Sequence, residues 1–469
     1  MPKRFNREHQ EPAEALTNSR LLRSGVMSFI IKVLGAFLAY AGNIAFAHLL
    51  TAKGYGHYAL GLNAAIVVAA FGGFGFSVSI MRYWPAYLVR GDKSMAKGVA
   101  ELGYAMAIAG GGVMLGACIL LWFLLRSIGM EKHFCLFLAI GALGLTINLG
   151  DYSTSLLRAQ GSTVASMVPR DVIWRILAPA LAFMVLYFKG NLGGGAALEI
   201  SALVLLALNV AQAVMTFRNV RSLGTDITPR HDPAPLWSSL LPIWVASVVF
   251  AMIQQFDVVL VGTMMSSEHA GSYFAAQKTA QILSLVLIAG GLATAPLMAA
   301  LYHSGKREEL QNLNRKLALA IFAVTAAGYL FLVFAGRILL ELFDPSFVTA
   351  YPILLILGLG TLVNAIAGPT DYMMQMTSFE KPYVKVMIGS YALTLATQIL
   401  LVPHFGQTGA AWASTGGVFL WNSITIFILR RRAGLDPSLL GVIFPPKPPR
   451  SGTNQPPFTP GKMLPAPQS

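Results

Sequence analysis

The sequence predicts an all-α polytopic membrane protein, and three features carry that expectation: composition, the spacing of apolar runs, and where the basic residues fall. Apolar residues make up 55% of the 469 and charged residues only 12%, whereas soluble domains carry about 25% charged. A soluble chain of this length needs several domains, and the uninterrupted apolar runs leave too little polar surface to cover them. A chain this long has room for about a dozen spans of ~20 residues with short loops. The net charge of +14 raises the class of nucleic-acid binders, but the Lys and Arg residues lie between the apolar runs and form no single patch. That is the pattern of loops on one side of a membrane.

Taken in order, residues 1–23 form a polar, charged arm without the short apolar core of a secretory signal. Apolar stretches then predict spans near 24–50, 58–81, 99–125, 134–157, 172–188 and 198–217. A polar interruption at 218–237 reads as a linker, and six more spans come near 238–262, 279–302, 316–335, 350–375, 384–402 and 409–429. The expected organisation is an arm at 1–23, a six-helix bundle at 24–217, the linker at 218–237, a second bundle at 238–430, and a proline-rich tail at 431–469 that cannot bury a core. Cys118 and Cys135 sit in or beside apolar runs and read as packing residues.

Twelve spans put both termini on one side. Of the 34 Lys and Arg residues, 26 fall on that side, six on the other, and Lys32 and Arg175 inside spans. The asymmetry predicts cytoplasmic termini. The halves also repeat: Gly56-His57-Tyr58 and Gly271-Ser272-Tyr273 lie 215 positions apart, and Tyr87 matches Tyr302 at the same offset. Six spans per half make the repeats parallel, and proteins so built bind their ligands near the membrane midplane between the halves. The predicted fold is therefore about 12 transmembrane helices as two parallel six-helix repeats around a central cavity.

Charge inside a span costs about 2.5–3.5 kcal/mol on insertion scales and needs a reason. In span 1, Ser28, Lys32, Gly35, Ala39, Gly42 and Asn43 share one helical face. This small, polar stripe either lines a cavity or lets Lys32 snorkel to the headgroups. Span 7 repeats the arrangement with Ser247, Gln254 and Asp257, the last too deep and too short to snorkel; it is a cavity acid or a buried hydrogen-bonding residue. Asp371, near Asn364 and Gln375 in span 10, and Asp151, near Asn148 in span 4, read as cavity acids or interfacial ion pairs, with Arg158 the nearby partner for Asp151. Arg175 stands four residues after Asp171 and beside Trp174, where an i,i+4 pair competes with a cavity role. Pro179 should kink span 5.

No P-loop, no serine or cysteine nucleophile motif and no histidine cluster of metal-ligand spacing occurs, and no external loop exceeds about 15 residues. These features disfavour ATP hydrolysis and membrane glycosyl transfer. The expectation is a non-enzymatic transporter with no cofactor and no metal site.

Leu50-Thr51-Ala52-Lys53-Gly54-Tyr55-Gly56-His57-Tyr58-Ala59-Leu60 resembles the "L-x-P-x-x-Y-G-x-Y-A-L" segment after the first helix of Wzx-type polysaccharide flippases. Met81-Arg82-Tyr83-Trp84-Pro85-Ala86-Tyr87 is similar to their "V-R-Y-x-P-x-Y" segment. Asp344-Pro345-Ser346-Phe347, Tyr351-Pro352, Gly368-Pro369 and Gly406-Gln407-Thr408-Gly409-Ala410-Ala411-Trp412-Ala413 resemble their C-terminal half. The likeness covers residues 20–430 and departs at Thr51-Ala52-Lys53 and Thr377-Ser378-Phe379, both loop positions. It implies two six-helix bundles around a cavity that opens alternately to each side of a bacterial inner membrane. It also implies a substrate: a polyprenyl-diphosphate-linked oligosaccharide repeat unit, flipped outward for O-antigen or exopolysaccharide biosynthesis, with the polysaccharide polymerase and chain-length machinery as partners beside membrane lipids. Lys32 and Arg175 are then candidates for the diphosphate, with Asn43 and Gln254 also lining the cavity, while Asp257, Asp371 and Asp151 are candidate coupling or cavity acids. The alternative within the superfamily is a cation-coupled drug antiporter, disfavoured because span 1 carries Lys32 and no acid.

Overall fold

The computed structural model describes residues 11–128, 133–224, 227–230, 234–377 and 379–443. Lys3, Arg4 and Arg7 of the arm, Lys132, linker positions 225–226 and 231–233, Ser378 and the proline-rich segment from residue 444 lie outside the described residues. Among the described residues every regular element is helical. Ten helices among the described residues are long and apolar enough to cross a membrane. One of them, Lys381–Ala433, has 53 residues, roughly 80 Å if straight, against a hydrocarbon core of ~30 Å. It holds both the eleventh and the twelfth predicted spans, and its helix α15 (Glu380–Ile428) breaks at Gly406, whose φ of 59° and ψ of −143° suit glycine alone.

The remaining helices keep the predicted order: α1 (Glu11–Leu49), α2 (Ala52–Gly72), α3 (Phe76–Val89), α4 (Lys93–Leu125), α5 (Phe134–Ala159), α6 (Thr163–Val168), α7 (Trp174–Lys189) and α8 (Gly194–Arg221). Then come α9 (Ala234–Met264), α10 (Ser267–Gln281), α11 (Ser284–His303), α12 (Arg307–Glu341), α13 (Tyr351–Ala367), α14 (Thr370–Met376) and, after α15, α16 (Leu440–Ile443). Three predicted spans are not single helices. Span 2 is α2 and α3, parted by a turn where Gly75 takes φ 75° and Phe74 φ 44°. The carbonyl of Phe71 freed by this break accepts a 2.9 Å bond from Trp244 Nε1, meeting the need of a buried helix end for a partner. Span 8 is α10 and α11. Span 10 ends at Ala367, where Gly368 (φ 71°) and Pro369 stop α13; Asp371 stands beyond that break on α14.

Contacts group the chain into two compact units: Met1–Leu285 with Ala327–Thr361 and Ile388–Gly417, and Val286–Ala326 with Leu362–Met387 and Val418–Ser469. In the first, α2 and α10 cross at close quarters. A Cβ on Gly56 would lie 1.7 Å from the Ser267 carbonyl oxygen, and one on Gly271 would lie 3.2 Å from the Gly56 backbone. The two glycines 215 positions apart thus meet each other. Around them Tyr55, Phe274, Phe343 and Phe347 are buried together, with Tyr55 5.7 Å from Phe347 and 6.1 Å from Phe274. The second unit has its own core of Met298, Leu310, Met373, Met374, Leu429, Ala433 and Leu435. Beyond α15, Asp436 is fully buried there. It pairs with Arg430 and accepts from the Ser438 N–H and hydroxyl, while its backbone carbonyl accepts from Gln311 Nε2 at 2.6 Å and its N–H donates to Gln311 Oε1 at 3.0 Å.

Candidate functional site

The stripe on α1 meets the helix formed by α6, a π-helical turn at Pro169–Ile173, and α7. Such turns insert one residue per cycle and rotate the helix beyond them. Here the turn brings Asp171 against Gly35, whose Cβ would lie 3.0 Å from both the Asp171 carbonyl oxygen and its Cβ. A larger residue there would push the two helices apart by a few tenths of an ångström. One turn on, Pro179 has no N–H for the Arg175 carbonyl, and Gly42 of α1 lies against that oxygen, its Cβ position 3.2 Å away.

Lys32 reaches across to Asp171, with Nζ to Oδ2 at 2.8 Å. The lysine side chain stays 56% exposed and the aspartate 20%. Asp171 therefore pairs with Lys32, and not with Arg175 at i+4. Asp151 pairs with Arg170 of the π-turn, which replaces Arg158 as the expected partner; Arg158 is exposed. Arg175 instead lies over the Trp174 ring at 4.6 Å, a cation–π arrangement. Trp174 is itself pinned by its indole N–H to the Ser201 carbonyl on α8 at 3.0 Å. Ala39, Gly42, Asn43, Phe46, Tyr58, Trp174, Arg175, Ala178, Pro179 and Ser201 enclose a small cleft. Ala39, Gly42 and Asn43 of the stripe thus line this cleft with Pro179, and it has room for little more than a water.

A second cation stands on α10 of the same unit. Lys278 of α10 is half-buried, lies 5.1 Å from the Phe274 ring centroid and bonds Gln281 at 3.1 Å. Its neighbour Thr279 meets Tyr40 of α1 at 3.2 Å between hydroxyls. Neither Arg175 nor Lys278 forms an ion pair among the described residues.

Asp257 lies in a separate pocket of the same unit, 7% exposed. It accepts from Gln398 Nε2 at 2.8 Å, Ser414 Oγ at 2.7 Å and the Tyr273 hydroxyl at 3.3 Å. Gln254, three residues earlier, is exposed and takes no part. In the second unit, Asp371 accepts from the Trp421 indole at 2.8 Å, and Trp421 stands edge-on to Tyr383 at 5.2 Å. Burial raises the Asp371 carboxyl to about 6, while the indole bond draws it back. Asn364 belongs to an adjoining ladder: Thr370 donates to Asn422, and Asn422 donates to Asn364.

Residues 21–302 match the model of a family described as polysaccharide biosynthesis protein. The chain belongs to that family. Residues 242–400 also match the MatE family. Among proteins of curated function, none matches the sequence significantly. Solved structures share the fold: a multidrug resistance MATE transporter of the MOP superfamily is similar in its inward-facing conformation, with 16% identity, 86% of this chain and 96% of that one covered, and a TM-score of 0.65. An outward-facing structure of such a transporter has 18% identity, coverage of 86% and 94%, and a TM-score of 0.62. A MOP superfamily transporter from Pyrococcus furiosus, described as having a binding pocket of reversed polarity, has 16% identity, coverage of 88% and 96%, and a TM-score of 0.59. The chain thus shares the fold of these transporters, and ten helices among its described residues are long and apolar enough to cross a membrane.

Within this polysaccharide-biosynthesis fold the residues singled out from sequence fall into three places. Lys32, Asn43 and Arg175 gather on α1 and α7; Asp151 joins their edge through Arg170 and Asp171. Asp257 and Asp371 sit in other pockets. Sequence reasoning missed Lys278, placed at the edge of a span among loop cations, and Asp171, read only as a local partner. No signal in the sequence singles out Lys278, because α10 is rich in Ser, Gln, Thr and Ala and does not read as a buried helix.

Proposed function

We propose that this transporter flips a polyprenyl-diphosphate-linked oligosaccharide from the inner to the outer leaflet of a bacterial cytoplasmic membrane, with both termini cytoplasmic. The observation that supports it is Arg175 in the lining of the α1–α7 cleft, with Lys278 on α10 of the same unit: two partly buried cations on different helices without ion-pair partners among the described residues. Like charges held together in a low-dielectric setting repel, and an anion carrying about two negative charges relieves both. Lys32, on the same stripe of α1 that lines the cleft, extends the positive surface. Arg suits bidentate phosphate contact and Lys acts as a point charge.

Two six-helix halves, 24–217 and 238–430, rock about the α2–α10 crossing in this reading, and the water-sized cleft is the closed form of the site. An inside-negative potential contributes about 2.3 kcal/mol per charge per 100 mV to outward movement of the diphosphate. Asp257 is the candidate coupling acid, since its carboxylate is buried yet fully hydrogen-bonded. That same acid favours the second reading, a cation-coupled drug antiporter. Sidedness of lipid-linked oligosaccharide in cells depleted of the protein separates the two. Diphosphate-linked units confined to the inner leaflet support flipping. Unchanged pools with new sensitivity to cationic dyes support antiport, and units reaching the outer leaflet unpolymerised refute both.

A further inference from the structure

We propose that Asp171 is the resident counter-ion of the cation site, an internal carboxylate that occupies Lys32 until the anionic group of the substrate displaces it. The inference rests on the diphosphate reading of Arg175 and Lys278 and adds the residue against which the substrate must compete. Lys32 and Asp171 are 139 positions apart and meet at 2.8 Å, so the contact is made by the fold and not by local spacing. The acid sits on the tightly packed member of the pair: a Cβ built on Gly35 would fall 3.0 Å from the Asp171 carbonyl oxygen and its Cβ, so its backbone lies close against α1. The lysine is the movable member, more than half exposed on a flexible four-carbon stem.

The surroundings make the exchange reversible. When Lys32 leaves, Asp171 still lies in the field of Arg170 and Arg175, so no buried charge is stranded. Arg170 is held by Asp151 and cannot swing over as a competing ligand. A diphosphate brings more charge than one carboxylate and reaches Arg175 on the same face. Lys32 would transfer from Asp171 to the incoming anion, releasing the tie between α1 and the π-turn as substrate enters.

The test measures binding of inorganic pyrophosphate and of a short isoprenyl diphosphate to the purified full chain in lipid nanodiscs by calorimetry. Asp171→Asn should tighten both about three- to fivefold, the scale of a partly exposed ion pair, whereas Asp171→Glu, which keeps the negative charge, should give no such gain. In a Lys32→Met background, itself weakened, the Asp171→Asn gain should vanish. Asp171→Asn binding unchanged or weaker, while Lys32→Met and Arg175→Met weaken it, overturns the counter-ion role and leaves the cation site standing. If no cation substitution, Lys278→Met included, weakens either probe, the cation site itself falls. A gain confined to pyrophosphate overturns the lipid-linked form of the proposal. Monodispersity and thermal unfolding of each variant separate binding effects from misfolding.

Discussion

Replacing Gly56 by valine should hold the α2–α10 crossing open. The first added carbon would lie 1.7 Å from the Ser267 carbonyl oxygen and 2.3 Å from its carbon, where ordinary C···O contact begins near 3.3 Å. The helices must therefore part by roughly 1.5 Å at this point. Overpacking of this kind costs about 1–3 kcal/mol, and each 1.4 kcal/mol is tenfold in a two-state equilibrium. A carrier that closes here should thus shift about five- to a hundredfold away from the closed state. The buried cluster of Tyr55, Phe274, Phe343 and Phe347 would open with it. The assay is labelling of a cysteine at Thr279, fully buried in this state, by a membrane-impermeant maleimide applied from the side opposite the termini, in a chain lacking Cys118 and Cys135. Gly56→Val should raise the labelling rate and lower transport; Gly271→Ala, with its nearest contact at 3.2 Å, should do so weakly. Labelling and transport at wild-type levels in Gly56→Val would refute the crossing as a moving contact.

Three further outcomes are expected. Asp257→Ala should lower thermal stability in detergent by about 3–5 kcal/mol, because Gln398, Ser414 and Tyr273 lose their acceptor in a buried site; Asp257→Asn should cost less, yet abolish gradient-driven uptake if the acid couples. Burial raises the Asp371 carboxyl to about 6, above its unfolded value near 4, so the folded state binds the proton more tightly. This group's contribution to stability then grows as pH falls from about 7 to 4, by about 1–2 kcal/mol after screening, and the slope of melting temperature against pH over that range should flatten in Asp371→Asn. Arg430→Ala should leave the fully buried Asp436 without its cation, destabilising its segment by about 2–4 kcal/mol, seen as faster trypsin cleavage after Arg431 and Arg432.

The features legible in the sequence were those one helix carries alone. The α1 stripe could be read because residues at steps of three, four and seven share a face, and Ala39, Gly42 and Asn43 do line one cleft. The break in span 2 was hidden because Gly72-Gly73-Phe74-Gly75 is apolar and reads as continuous helix until φ turns positive. The partner of Asp151 was misread for a related reason: Arg158 is two turns on along the same face of α5, but Arg170 of the π-turn comes into reach from the next helix. No periodicity in α1 announces Asp171, since that contact exists only after two distant helices pack. Lys278 was obscured by composition, because α10 is nearly all buried and yet rich in Ser, Gln, Thr and Ala.

The repeat explains how one fold accommodates opposite charges. Tyr58 and Tyr273, 215 positions apart, are both buried. The first faces Arg175 and Ser201; the second bonds Asp257 beside Ser414. At the counterpart of Asp257, offset by the same 215, the first half has Gly42, and the absence of a side chain there is what admits the Arg175 backbone to α1. The same tyrosine scaffold thus carries a cation in one half and an acid in the other. An anionic substrate in the first half and a coupling cation in the second is the division of labour this asymmetry suits. Moving an acid into the first half should therefore damage it more than neutralising Arg175 does. Gly42→Asp would place a carboxylate against the Arg175 carbonyl and compete for its guanidinium, so pyrophosphate binding should fall below that of Arg175→Met. Binding equal to wild type in Gly42→Asp would show that the two halves do not divide charge in this way.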